Sequence, residues 1–271
     1  MHSMRAGSGI FRAVFRSTVF VGCATQTFAL PPPYFEAFNQ PGKIEVNLLG
    51  VPGEAQPALE LERLLARARA GEDRQQWVPG LKRFSGVEAP KGAAAALKWV
   101  AQCWEARAQV LEWDALLRAA YRKKARFPDR LDDLLNTAPE ALRKDPWGES
   151  WAYRPTAPAH SPKLVGQRYQ LGPSKFPELV PLDVPGKAPA PPRLPSGVVL
   201  EFFSLASGDL QGGGSAVVSL KVKDNRTDMG QAKRWTGAYQ PGDRFGDFWV
   251  VWVQKGGVLL GHPDGFLAVA L

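Results

Sequence analysis

The chain has 271 residues, 45% of them hydrophobic, with nine tryptophans and a formal net charge of +8. That length suits two ordinary domains with real cores, two cysteines exclude a disulfide framework, and no run of eighteen or more apolar residues marks a membrane-spanning helix. The basic excess is uneven: residues 1–29 hold Arg5, Arg12 and Arg16 and no acid, so the remainder carries +5.

Residues 1–29 read as an export signal, with that basic start, a short apolar run from Thr18 to Ala24, and Thr27-Phe28-Ala29 as a signal-peptidase site. A second reading treats Phe20-Val21-Gly22-Cys23 as a lipobox with Phe in the usual Leu position. Cys23 would then be lipidated and tie the protein to a membrane surface without spanning it. Leu30 to Gly53 is an irregular lead in which Lys43–Leu49 is strand-like. From Ala58 to Ala70, Leu61, Leu64, Leu65 and Ala68 share one helical side, which places Glu60, Glu62, Arg63, Arg67 and Arg69 outside.

Gly92 to Arg126 is one helical pattern of about 35 residues, or about 52 Å at the standard rise. Leu97, Ala101, Trp104, Ala108, Leu111 and Ala115 form a seam expected to pack on the chain's own sheet, a coiled-coil partner being the other reading. Cys103 reads as a small buried hydrophobe. Arg118, Arg122, Lys123, Lys124 and Arg126 complement the C-terminal end of the helix dipole. Tyr121 alone makes a thin stacking platform for nucleic acid, which is not expected as a partner.

Phe127-Pro128 stops the helix, because proline lacks the amide donor and disfavours helix in the residue before it. Asp129 is expected to cap a short second helix, with Asp132 in its first turn and Leu131, Leu134 and Leu135 on its apolar side. Asp145-Pro146-Trp147-Gly148 has the chemistry of a type I turn: Asp first, Pro second, Gly fourth. Strands are predicted at Ser150–Arg154, with Trp151 and Tyr153 on one face, and at Gln167–Leu171, with Tyr169 and Leu171 on one face. Pro173 to Pro195 holds eight prolines and reads as a stiff linker between an α+β domain, 30–172, and an all-β domain, 196–271. Beyond it Gly197–Leu205, Ser215–Val222, Phe248–Val253, Val258–Leu260 and Phe266–Leu271 are strand-like. Phe248–Val253 is apolar on both faces, as a sandwiched strand is. The last three strands, joined by glycine-containing turns, form a meander.

Leu116–Leu171 resembles the globular domain of the major pseudopilin of type II secretion systems, which is related to type IV pilins. Phe127-Pro128, Leu131-Asp132-Asp133-Leu134, Asp145-Pro146-Trp147-Gly148, Tyr153 and Tyr169-Gln170-Leu171 stand in that family's order. The resemblance implies a pilin-like head: a long spine helix on a small antiparallel sheet, organised by Phe127, Pro128, Asp145, Pro146, Trp147, Gly148, Trp151, Tyr153 and Tyr169. Two features depart from the family. Its calcium loop is replaced by Gly172-Pro173-Ser174-Lys175, which offers no carboxylate to a hard cation. Its long apolar polymerising helix, with a glutamate near the start, has no counterpart, so fibre formation is not expected. Tyr239–Leu271 is similar to the small β-domain of inner-membrane secretion and pilus proteins that touch the secretin. That similarity implies secretin or platform proteins as partners, with strand addition as a docking mode.

The search for catalytic chemistry finds three histidines, His2, His160 and His262. His262 and Asp264 could orient a base, yet no Gly-x-Ser-x-Gly elbow supplies a nucleophile, and His-Pro-Asp-Gly is explained as a turn. Neither zinc spacing nor a phosphate-binding glycine motif occurs. The expectation is a non-enzymatic exported docking protein of a type II secretion or type IV pilus-like apparatus, periplasmic or membrane-attached, without cofactor, metal or small-molecule substrate. The rivals are a secreted enzyme such as a cell-wall hydrolase, and a stand-alone exported binding module.

Overall fold

Three helices lead the chain and eleven strands follow among the residues that the computed structural model describes: 38, 53, 55–156, 168–176, 189–190, 192–206, 216–224, 227–228, 231–232, 235–254 and 256–271. The export signal with Cys23, the strand-like 43–49 and most of the proline-rich segment lie outside the described residues.

Helix α1 (Gln56–Arg69) has proline in its first turn, where the missing N–H was unpaired anyway. Helix α2 (Arg74–Ser85) starts at Asp73, whose carboxylate accepts the Gln75 N–H at 3.0 Å. Periodicity does not reveal α2, because Pro79 and Gly80 interrupt it. Gly80 is where α1 crosses: a Cβ there would lie 2.8 Å from the Leu64 methyls.

Helix α3 (Ala93–Lys124) runs 32 residues without a break. It stops at Ala125, which adopts a left-handed φ of +55° and returns its N–H to the Tyr121 carbonyl at 2.7 Å. Glycine is the residue that reaches this conformation without steric conflict. Ala125→Gly is therefore expected to stabilise the protein by about 1 kcal/mol, read as a higher urea midpoint; an unchanged or lower midpoint would contradict the strained cap. The short 3₁₀ turn Leu131–Leu134 is not capped by Asp129. Asp133 accepts the Arg130 N–H at 3.3 Å, and Asp132 pairs with the Arg130 guanidinium at 2.9 Å.

Strands β1 (Trp151–Thr156) and β2 (Arg168–Pro173) pair antiparallel with Tyr153 opposite Leu171. Strands β3 (Val198–Ala206), β4 (Ala216–Asp224) and β7 (Trp235–Tyr239) form a sheet in that order, and β5 (Thr227–Asp228) and β6 (Gln231–Ala232) pair between β4 and β7. The chain closes with β8 (Arg244–Phe245), β9 (Phe248–Gln254), β10 (Gly257–His262) and β11 (Gly265–Ala270), a meander ordered β11-β10-β9-β8. The protein is thus of mixed α+β class.

The expected sandwiched strand is β9. Its register against β10 slips, with Leu259 opposite Trp252 but Leu260 opposite Val250, so Val251 is an extra residue. The bulge sends Trp249, Val251 and Trp252 toward the helices, and Phe248, Val250 and Val253 toward the sheet containing β4. Two hydrophobic cores result, one on each face. One of them takes in residues from both sides of the proline-rich segment, where the domain boundary was expected. Val251, Leu259, Phe266 and Ala268 share a core with Leu59, Trp77 and Trp104, so the closing meander and the three helices bury their apolar faces together. It also alters the single-seam reading of α3. Between Trp99 and Val110 that helix is buried on every side, as a helix at the centre of a core is, while Ala115 of the seam is exposed.

Candidate functional site

The turn at Asp145 is built by its own side chain. One carboxylate oxygen accepts the N–H groups of Trp147 at 3.0 Å and Glu149 at 2.9 Å, while Gly148, at φ +83°, donates to the Asp145 carbonyl at 2.9 Å. The turn docks on α3, where Gln102 Nε2 donates to the Pro146 carbonyl at 2.7 Å. Below it, two indoles share one acceptor: Trp151 Nε1 and Trp113 Nε1 both donate to the Leu142 carbonyl, at 2.9 and 3.2 Å. Tyr153 donates its hydroxyl to the Pro128 carbonyl at 2.8 Å, and Tyr169 donates to Asp114 on α3. Burial, with the Asp114 carboxylate adding to it, pushes the Tyr169 phenol well above its ordinary range and keeps it a donor. Phe127 sits between Tyr121 and Tyr169, with ring centroids at 4.7 and 4.9 Å. The nine sequence-predicted residues from Phe127 to Tyr169 therefore lie along one side of α3.

Aromatic contacts carry this region into the closing meander. Trp147 meets Phe176 at 4.9 Å, Phe176 meets Trp99 at 6.3 Å, and Trp99 meets Trp249 of β9 at 5.9 Å. The Arg244 guanidinium lies over Trp99 at 5.6 Å. Trp147 and Trp249, assigned from sequence to separate domains, belong to one cluster.

A second constellation was hidden in the sequence. Glu62 and Arg69 of α1, read as solvent-facing, are paired with each other, Glu62 buried and Arg69 largely so. Arg69 also donates to the Asp264 carbonyl at 2.9 Å, at the β10–β11 turn. From α3, Arg107 donates to the Pro263 carbonyl and pairs with the Asp264 carboxylate. Both guanidiniums lie over the Trp104 ring, at 5.1 and 5.2 Å. The Glu62–Arg69 spacing of seven, which returns both to the same helix side, was the one available signal. His262 Nδ1 accepts the Asp264 N–H at 3.2 Å, and burial, opposed by the Asp264 carboxylate, pulls its pKa below the ordinary histidine value. Asp264 presents Oδ1 to Arg107 and Oδ2 to His262 Nδ1 at 3.4 Å, while the same His262 nitrogen accepts the backbone proton that closes the turn. Burial also pushes the Cys103 thiol up to about 12, which leaves little thiolate for chemistry.

Burial pushes the Glu62 carboxyl up from 4.5 to about 7, against the opposing pull of Arg69. The folded state then holds a proton that the unfolded chain has released, so this group's contribution to stability falls as pH rises from about 4.5 to about 7, by roughly 3 kcal/mol. His262 acts with the opposite sign below its ordinary value. The check is therefore the difference between wild type and Glu62→Gln in urea unfolding at pH 5 and pH 8. The variant is expected to gain stability over wild type at pH 8 compared with pH 5, and a pH-independent difference would contradict the shift.

Among the described residues no group of three or more His, Cys, Asp or Glu side chains is placed to hold a metal ion, and no helix is long and apolar enough to cross a membrane. The fold defines a class, a mixed α+β protein with a central buried helix. Comparison with known protein families, with curated proteins and with solved structures finds no match.

Proposed function

We propose that this chain is a non-enzymatic, exported component of a type II secretion or type IV pilus-like apparatus, acting as a structural or docking protein on the periplasmic side. One observation carries the reading. A long helix runs directly into Phe127-Pro128, an Asp145-built turn and an antiparallel strand pair, and Trp151, Tyr153 and Tyr169 anchor that pair in the order typical of a pseudopilin head. The closing meander covers another side of the same helix, which makes the head broader than a lone pilin-like domain. The partners in this reading are secretin or platform proteins.

The test is cross-linking of the tagged full chain in a host with an active apparatus, followed by identification of what is captured. Secretin or platform components are expected, together with impaired secretion or piliation when the chain is removed. The absence of both such capture and a secretion phenotype would overturn the proposal. His262→Ala in a cell-wall hydrolysis assay, with urea unfolding to show that the fold is kept, addresses the enzymatic rival.

A further inference from the structure

Among the described residues, the two sheets of the β half are joined along one margin and open along the other. Strand β7 passes into β8 through Gln240–Asp243, and Gly242 donates to the Val250 carbonyl at 2.8 Å, so that margin is stitched. The opposite margin is formed by β3 and β11, each the outer strand of its sheet among the described residues. Val198, Leu200 and Phe202 of β3 and Leu267, Val269 and Leu271 by β11 pack on the second core but remain half-buried.

Strand β3 is an unusual edge. It has nine residues, VVLEFFSLA, with no proline and a single charge at Glu201. Natural edges are commonly short, proline-bearing or charged, because unpaired N–H and C=O groups invite another strand. On its solvent side Val199 is 45% exposed, and Glu201 is engaged by Lys223 and, at 3.9 Å, by Lys221, which leaves one excess positive charge.

We propose that β3 receives an extended strand from a partner protein, with alternate apolar side chains turned into the half-open core and an acidic residue on the solvent side. A row of backbone donors and acceptors is completed by another backbone. The length available is about 30 Å at the usual rise per residue. The charge decides between occupants. A second copy would set its own positive excess against this one across a dyad, whereas an acidic strand neutralises it.

The test uses the full chain and a labelled synthetic peptide, Thr-Val-Thr-Val-Glu-Val-Thr-Val-Thr. Anisotropy is expected to show saturable binding, at least tenfold tighter than for the same peptide with lysine in place of glutamate, and none with proline there. Hydrogen exchange over residues 198–206 is expected to slow on binding. Val199→Glu, at an exposed position, is expected to weaken binding tenfold without altering exchange elsewhere. The proposal is overturned by unchanged exchange over 198–206, by equal binding of the proline peptide, or by a dimer of the chain in which 198–206 is already protected. None of these outcomes involves the secretion apparatus, so failure here leaves that reading to its own test.

Discussion

Asp264→Ala is expected to destabilise the protein by about 3–5 kcal/mol, the range for removing one partner of a buried ion pair. The Arg107 side chain is only 2% exposed and the Asp264 side chain 28%. Burial already pulls Arg107 below the ordinary arginine range, with Asp264 as the main opposing influence. Removing the carboxylate leaves a desolvated guanidinium without that compensation. The reverse change is expected to be milder, because in Arg107→Met the remaining carboxylate can draw on water and the thioether fills the space along Trp104. The double variant Arg107→Met/Asp264→Ala removes both charges and is expected to recover most of the loss caused by Asp264→Ala alone. Urea unfolding of the four proteins closes the cycle. Additive single effects, or a loss below about 1 kcal/mol for Asp264→Ala, would show that the pair does not lock the turn to the helices. The same reasoning makes Asp264 a poor probe of catalysis, since any activity lost on its replacement would be confounded with unfolding.

What the sequence discloses and what it conceals divide along the range of the interactions involved. The Asp145 turn was legible because its bonds are local: the carboxylate reaches N–H groups two and four residues on. The strands beneath Tyr153 and Tyr169, and the strand apolar on both faces at Phe248–Val253, were legible from alternation and its absence. The cap of the 3₁₀ turn went to Asp133 rather than Asp129 because the turn carries the residue three positions after Arg130 back to the Arg130 N–H, whereas Asp129 lies ahead of that N–H. Glu62 and Arg69 were misplaced for a different reason. A charged residue on a short helix is read as solvated, and what buries this pair includes a turn 195 residues away from Arg69. The proline-rich segment reads as a linker, but no composition shift shows whether the halves on either side share a core. Val251 and Phe266 packing with Leu59 and Trp104 is decided by tertiary fit alone.

Gly242→Ala is expected to cost about 3 kcal/mol, combining left-handed backbone strain of about 1–2 kcal/mol with overpacking of about 1–3 kcal/mol. Gly242 holds φ +96° in the link between β7 and β8, and a Cβ there would lie 2.7 Å from the Gly92 carbonyl oxygen and 2.8 Å from its Cα. Gly92 stands just ahead of α3 with its own φ of +56°. Two glycines therefore let backbone meet backbone where the central helix begins and the β half turns from one sheet into the other. Neither chain segment can retreat cheaply: the Gly242 N–H is held by the Val250 carbonyl at 2.8 Å, and the Gly92 carbonyl accepts the Ala95 N–H at 3.0 Å. Gly148→Ala is the matched control, because Gly148 has φ +83° with nothing within 4 Å of an added Cβ. That control is expected to lose only the strain, about 1 kcal/mol. If urea midpoints show the two substitutions costing the same, the close approach does not contribute, and the coupling of α3 to the β half must rest on the Trp99–Trp249 contact and the Arg107 ion pair instead.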